Sequence, residues 1–282
     1  MTMLVFGKSG QVAQELARLL PDATFLNREA ADLSDPQACV AAILLTQPDM
    51  VINAAAYTAV DAAEDEEKLA AIINGAAPTA MAKVCAKLDI PFIHISTDYV
   101  FDGSGQVAFT PDHAAAPLGA YGRSKLAGEI GVRAAGGRFA ILRTSWVFSA
   151  HGNNFLKTML RLGAERERLT IVADQIGGPT PASGIAQTCL TIAETLKADP
   201  SVAGTYHYSG APDASWADFA REIFACAGFS VEVEDIPTSA YPTPAARPLN
   251  SRLNCAALLA NFGVNRPDWR TTTAAIVKEL RL

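Results

Sequence analysis

The chain has 282 residues, half of them hydrophobic and 18% charged, enough for one large α/β domain or for such a domain with a smaller lobe. A net charge of −6 with no basic run speaks against nucleic acid as the main partner, though a few local donors could still hold an anionic small ligand. Five cysteines without C-x-x-C spacing, four histidines isolated in sequence and no long apolar run argue against a disulfide framework, a metal site and a membrane span, so a soluble cytoplasmic protein is expected.

Met3 to Phe6 is a short apolar run that reads as a buried strand, with neither a basic nor a long apolar leader segment before it. Gly7-Lys8-Ser9-Gly10-Gln11-Val12-Ala13 follows, then a helical pattern through Glu15, Leu16, Leu19 and Leu20. In this G-x-x-G-x-x-A turn Gly7 permits a tight bend and Gly10 lets the backbone approach a pyrophosphate. Ala13 lets the helix lie close on the sheet. The helix N-terminus then offers N–H groups to phosphate. A plain strand–turn–helix connection has the same local pattern, so the motif points to a cofactor through its context.

A second strand, Thr24 to Leu26, ends at Asn27-Arg28. NAD-specific folds commonly carry an acidic residue here for the ribose 2′-hydroxyl, whereas Arg can take a 2′-phosphate. The expectation therefore leans to NADPH, with NADH as the other candidate and Arg28 as a solvated loop residue as the plain alternative. Asp32 precedes Leu33 and can contact the adenine or serve as a cap. Pro36 to Thr46 reads as a helix and Met50 to Asn53 as the third strand. The strip Ala54-Ala55-Ala56-Tyr57-Thr58 either lets a cofactor pass close to the backbone or packs a helix on the sheet.

Asp61 to Leu88 reads as one long helical stretch with an acidic start and with Asn74 facing inward from its middle. Pro91 to Ile95 is the fourth strand, running into Ser96-Thr97-Asp98 on the side of a parallel sheet where ligands bind. Tyr121 and Lys125 open the next helix, one turn apart on one face. Phe139 to Arg143 is a further strand, closed by Thr144-Ser145-Trp146. Beyond Trp146 the pattern is less regular. Helices are expected near 153–162, 183–196 and 215–227, and strands near 170–172 and 231–234. A Pro-rich segment then leads to Asn250-Ser251-Arg252. The fold class is α/β, a doubly wound parallel sheet: a dinucleotide-binding Rossmann domain over 1–150 and a smaller, mainly substrate-binding lobe over 151–282, with some segments returning to the core.

An isolated Tyr-x-x-x-Lys is an ordinary helix-surface feature. The glycine turn, the Ser-Thr strand end and the strand–helix alternation change its meaning here. Ketone reduction needs a hydride donor, which a nicotinamide supplies, and a proton donor at the carbonyl oxygen. Tyr121 can be that donor only if its phenol, ordinarily titrating near ~10, is made more acidic. The Lys125 ammonium does so by favouring phenolate, and it can also hold the nicotinamide ribose. Thr97, at the strand tip, can give the substrate oxygen a second hydrogen bond.

The glycine turn, Ser96-Thr97 and Tyr121-Gly122-Arg123-Ser124-Lys125 resemble the extended short-chain dehydrogenase/reductase superfamily. More narrowly, Ser96-Thr97-Asp98-Tyr99-Val100-Phe101, Arg143-Thr144-Ser145-Trp146-Val147, Gly152-Asn153-Asn154-Phe155 and Pro242-Thr243-Pro244-Ala245-Ala246-Arg247-Pro248 resemble the dTDP-4-dehydrorhamnose reductases, over residues 1 to about 275. The resemblance implies NAD(P)H-dependent reduction of the 4-keto group of dTDP-6-deoxy-L-lyxo-4-hexulose to dTDP-L-rhamnose. It places Gly10, Gln11 and Val12 at the cofactor pyrophosphate, Asn27, Asp32 and Leu33 at the ribose and adenine, and Ala56, Tyr57 and Thr58 at the nicotinamide half. Tyr121 and Lys125 become the catalytic pair, tuned by Thr97; Thr97, Asp98 and Trp146 become sugar contacts. Arg247, Asn250 and Arg252 are placed for the nucleotide diphosphate or, alternatively, as salt bridges and loop anchors.

Asn27 stands where some members carry an acidic residue, which leaves the choice of cofactor open. Ser183 stands where some members carry an acidic residue of a metal-bridged dimer, so no magnesium bridge is expected although Glu15 is present. A homodimer is one assembly the resemblance allows. A sugar-nucleotide 4,6-dehydratase would need a second carboxylate after Asp98, where Tyr99 stands. An epimerase, which would consume no cofactor, and a non-catalytic regulatory subunit remain as rivals.

Overall fold

Strand β1 (Met3–Phe6) is buried along its whole length, and the rest of the sheet forms around it in the computed structural model, which describes residues 2–280. The first half continues with α1 (Gln11–Leu19), β2 (Thr24–Leu26), α2 (Pro36–Thr46), β3 (Met50–Asn53), α3 (Glu67–Ala71), α4 (Ala77–Leu88), β4 (Phe92–Thr97), α5 (Ala120–Ala135) and β5 (Phe139–Thr144). The second half adds β6 (Val147–Phe148), α6 (Phe155–Glu165), β7 (Arg168–Val172), β8 (Ile176–Gly177), β9 (Thr180–Pro181), α7 (Ala182–Ala198), β10 (Gly204–His207), β11 (Ala214–Ser215), α8 (Trp216–Ala227), β12 (Glu232–Ile236), β13 (Asn250–Ser251), α9 (Ala256–Phe262) and α10 (Trp269–Leu280).

Among the described residues six parallel strands form the main sheet, in the order β2-β1-β3-β4-β5-β10. The order reverses between β1 and β3, which opens a crevice at the C-terminal ends of the strands. Both faces of the sheet are covered, so its strands read as near-continuous apolar runs. Val5, Ile52, Ile93 and Leu142 pack toward Leu16 of α1 and Ile185 of α7. Leu4, Phe6, Val51 and Ile141 pack toward Ile43 of α2 and Met81 of α4. The nine-residue α1 is too short to persist alone; buried Val12 and Leu16 hold it, each contributing about 1.5–3 kcal/mol. A separate core of Phe148, Leu156, Phe219, Phe224 and Trp269 fills the smaller lobe.

The expected helix from Asp61 to Leu88 is broken. A 3-10 turn (Ala62–Glu64) precedes α3, and a π turn (Ile72–Ala76) joins α3 to α4. Two residues account for the π turn. Pro78 has no N–H to return to the Asn74 carbonyl. The Asn74 side chain, in turn, accepts the Tyr57 N–H at 2.8 Å and donates to the Tyr57 carbonyl and to Ser124 Oγ, both at 3.0 Å. Residues 67–88 are long and apolar enough by composition to cross a membrane, but half of the window is buried inside the protein, against α2 and α5.

The edge strand β10 lies outside the strands expected from the sequence pattern and pairs with β5 in register Tyr206 to Leu142. Helices α9 and α10 are likewise additions to the expected elements. Between the strand expected near 170–172 and the helix expected near 183–196 lie β8 and β9, two residues each.

Candidate active site

A cavity of about 870 Å³ runs along the strand ends, from Gly7 and Gly10 past Ala54–Thr58 to Thr97, Tyr121, Lys125 and Trp146. Gly7 has φ +109°, a conformation that favours glycine, and a Cβ there would press on the Ala54 carbonyl carbon and oxygen at 3.3 Å. Gly10 caps α1 without any side chain, leaving the helix end clear beside the cavity. Gln11 reaches the other way. Its Oε1 accepts from Ser149 Oγ at 3.0 Å and Asn154 Nδ2 at 2.9 Å, and its Nε2 donates to the Val147 carbonyl at 3.3 Å. That leaves the backbone of Gln11, not its side chain, for a pyrophosphate.

Asn27, Arg28, Asp32 and Leu33 line the far end. Asn27 Oδ1 accepts the Ala30 N–H at 3.0 Å, and Asp32 Oδ1 accepts the Ser34 N–H at 2.8 Å. Asp32 thus caps a turn; Asp35 caps α2. Arg28 Nε pairs with Asp32 at 3.1 Å, and three-quarters of the Arg28 side chain is exposed. A pair so exposed adds little stability, so Arg28 stays available to a ligand.

At the near end, α5 sets Tyr121 and Lys125 one turn apart. The helix begins at Gly119, where Glu64 Oε1 accepts the Ala120 N–H at 2.9 Å. At Gly122 a Cβ would collide with the Tyr99 carbonyl oxygen, so this glycine lets α5 press against the turn after β4. Lys125 is 2% exposed, and its Nζ donates to the Ile95 carbonyl at 2.7 Å. Burial pulls the Lys125 pKa down to about 8, with Glu129 working the other way. Tyr121 is pushed up to about 12 by burial, with Thr97 beside it lowering the value and Asp98 raising it; this is the opposite of the acidification expected from Lys125, because burial costs the phenolate more than its neighbours return. Thr97 donates to Asp98 Oδ1 at 3.1 Å, and burial lifts the Asp98 carboxyl to about 6. Asp98 Oδ2 and Thr144 Oγ1 are buried without a protein partner, as befits walls that meet a polar ligand. Trp146 adopts φ +49°, rare for a bulky residue, and stacks on Trp216 with centroids 3.7 Å apart.

Three residues expected at the nucleotide diphosphate do not line this cavity. Arg247 is paired with Asp61 at 2.7 Å. Asn250 is 2% exposed and donates to the Ser104 carbonyl at 3.2 Å and the Val107 carbonyl at 2.9 Å, which makes it a loop anchor. Arg252 lies against Asn250 Oδ1 at 3.1 Å and Asp213 at 3.7 Å. In each case a nearby carboxylate or carbonyl already occupies the donor.

All 282 residues match the family model described as the RmlD substrate binding domain. The chain is 42% identical over 291 residues to a Sinorhizobium fredii dTDP-4-dehydrorhamnose reductase, covering 100% of this chain and 98% of that one. It is 43% identical to the Burkholderia thailandensis enzyme of the same name, covering 99% of each. The chain belongs to the dTDP-4-dehydrorhamnose reductase family. Solved members of the family share the fold. The Clostridium acetobutylicum structure superposes with a TM-score of 0.93 at 33% identity over 100% of both chains. The Bacillus anthracis structure, in complex with NADP, gives 0.92 at 34% over 99% of both.

The cavity of this reductase fits a nicotinamide dinucleotide on its own geometry. A side-chain-free turn meets the helix end, a small-residue strip follows, and an exposed guanidinium stands at the far end. Asn53, Thr144 and Ser145 also line it and were not singled out in the sequence. They end β3 and close β5 as Thr97 ends β4, so the rule that ligands sit at strand ends would have found them.

Proposed function

We propose that the chain reduces the 4-keto group of dTDP-6-deoxy-L-lyxo-4-hexulose to give dTDP-L-rhamnose, drawing on NADPH, with NADH as the other donor. The observation that carries this reading is the placing of Tyr121, Lys125 and Thr97 together at one end of a cavity whose other end is the glycine turn. The nicotinamide, when bound, supplies the hydride. Tyr121 gives its phenolic proton to the carbonyl oxygen, and Lys125 as ammonium favours the phenolate that remains. Thr97 orients the oxygen, while Asp98 and Trp146 form the sugar-binding wall. Tyr99, at the position of a dehydratase's second carboxylate, packs edge-on against Tyr121 with centroids 5.5 Å apart. That supports reduction over elimination.

The partner is a dTDP-sugar, with neither nucleic acid nor membrane involved. Five free cysteines suit the reducing cytoplasm, and a homodimer is the assembly to test. We assign residues 1–150 chiefly to the cofactor and 151–282 chiefly to the sugar nucleotide. The test is NADPH oxidation, followed by its near-ultraviolet absorbance, with the dTDP-4-keto-6-deoxy-L-sugar generated in a coupled mixture. Substrate-dependent loss of absorbance that disappears in Tyr121→Phe is the expected result. Clear NADPH binding without consumption would overturn this substrate and point to another sugar nucleotide.

A further inference from the structure

His94 lies fully buried in β4, between Asn53 and Lys125. Its two ring nitrogens face different chemistry. Asn53 Nδ2 approaches Nδ1 at 3.2 Å, while Asn53 Oδ1 accepts the Ala55 N–H, also at 3.2 Å. The second bond sets the orientation of the amide. Turned over, its nitrogen would face the Ala55 N–H, donor against donor. Asn53 therefore donates to Nδ1, Nδ1 carries no proton, and a neutral ring keeps its proton on Nε2. Burial, and after it the charge of Lys125, hold the His94 pKa well below the ordinary histidine value, so the ring is neutral.

The Nε2–H then points at Lys125 Nζ, 3.4 Å away. An amine can accept that hydrogen on its lone pair while giving one of its own to the Ile95 carbonyl at 2.7 Å. An ammonium has donors only and meets the Nε2–H unfavourably. We propose that His94 is a positioning residue for the reduction: fixed by Asn53 with its proton on Nε2, it seats the Lys125 side chain and weakens its hold on a proton. Resting as it does on the reductase reading, this gives Lys125 a defined part. It can pass between amine and ammonium near neutral pH as charge comes and goes on Tyr121, and acid–base groups act best in that range.

Among the described residues, the other ionisable group acting on Lys125 is Glu129, one turn after it on α5; Tyr121 stands one turn before it. Glu129 favours the ammonium, but its carboxylate is bound by Arg143 of β5 at 2.6 Å and by Arg133 at 3.1 Å. Asp98, from the turn after β4, acts on Tyr121.

Nitrogen NMR of the histidine side chains, in enzyme without substrate, reads the tautomer directly. A neutral ring protonated at Nε2, unchanged from about pH 6 to 9 and absent from His94→Phe, is expected. Carbon-labelled lysine then reports Lys125 itself. Its titration should move up by about one pH unit in His94→Phe, roughly the worth of one hydrogen bond. His94→Gln, whose amide can turn its oxygen to the ammonium, should shift it the same way and serves if the Phe variant fails to fold. The alkaline limb of kcat should follow that shift while the KM for NADPH changes little. An Nδ1–H or doubly protonated ring, or an unmoved Lys125 titration, would overturn the proposal and leave His94 as core packing. Because the NMR readouts need no turnover, an inactive enzyme showing both would count against the reductase reading alone.

Discussion

Glu129 of α5 receives Arg143 of β5 through two bonds, at 2.6 and 2.8 Å, and neither side chain is more than 3% exposed. The same carboxylate accepts from Ser96 Oγ at 2.7 Å and from Arg133 at 3.1 Å. This cluster ties the helix that carries Tyr121 and Lys125 to the two strands beneath it. Burial acts to raise the Glu129 pKa, but Arg143, with help from Ser96 and Arg133, outweighs it and leaves the value below the ordinary carboxylate range. A depressed carboxyl contributes stability that is present above its unfolded pKa and lost as pH falls through the folded one. Arg143→Met leaves the buried carboxylate with only Ser96 and the partly exposed Arg133, and should destabilise the protein by about 3 kcal/mol near neutral pH, read as a lowered urea midpoint. The deficit should shrink on acidification, because a stranded Glu129 protonates readily. A deficit that does not vary with pH would mean that packing, not charge, carries the contact.

Tyr121→Phe keeps the ring against Tyr99 and removes only the hydroxyl. The kcat for the keto sugar should fall by roughly 10²- to 10⁴-fold, the usual worth of a positioned acid. NADPH binding, followed by fluorescence, should be nearly unchanged. Rates close to those of the parent would remove Tyr121 as the proton donor.

Arg28→Asp replaces the exposed guanidinium at the far end of the cavity with a charge that repels a 2′-phosphate. The ratio of kcat/KM for NADPH to that for NADH should drop by roughly 10- to 100-fold, in line with loss of a charged hydrogen bond. An unaltered ratio would place the 2′-phosphate away from Arg28.

Trp216→Ala removes the ring that backs Trp146 in its left-handed conformation. Without the stack, Trp146 has less to hold it against the sugar. The KM for the dTDP-sugar should rise several-fold while NADPH affinity holds, because Trp216 does not line the cavity. Equal losses in both would point to collapse of the smaller lobe, which circular dichroism would detect.

Local order was legible in the chain itself. The run into Gly7, the small residues at Gly10 and Ala13, and the four-residue step from Tyr121 to Lys125 each concern neighbours within one or two turns. Helical and extended periodicity constrain such neighbours directly. What the tertiary structure decided depends on partners far apart in sequence. Strand β10 is four residues long and has no identity until it pairs with β5. Arg247 meets Asp61 across 186 positions, and Asn250 meets Ser104 and Val107 across 146 and 143, so no local pattern could tell a diphosphate contact from an anchor. Gln11 turns to Asn154 for the same reason, 143 positions away. His94, one isolated histidine in the chain, takes its tautomer from Asn53 and meets Lys125, 41 and 31 positions away. Sequence periodicity sets which face a residue takes, but burial and hydrogen bonding between distant segments set its protonation and its partner.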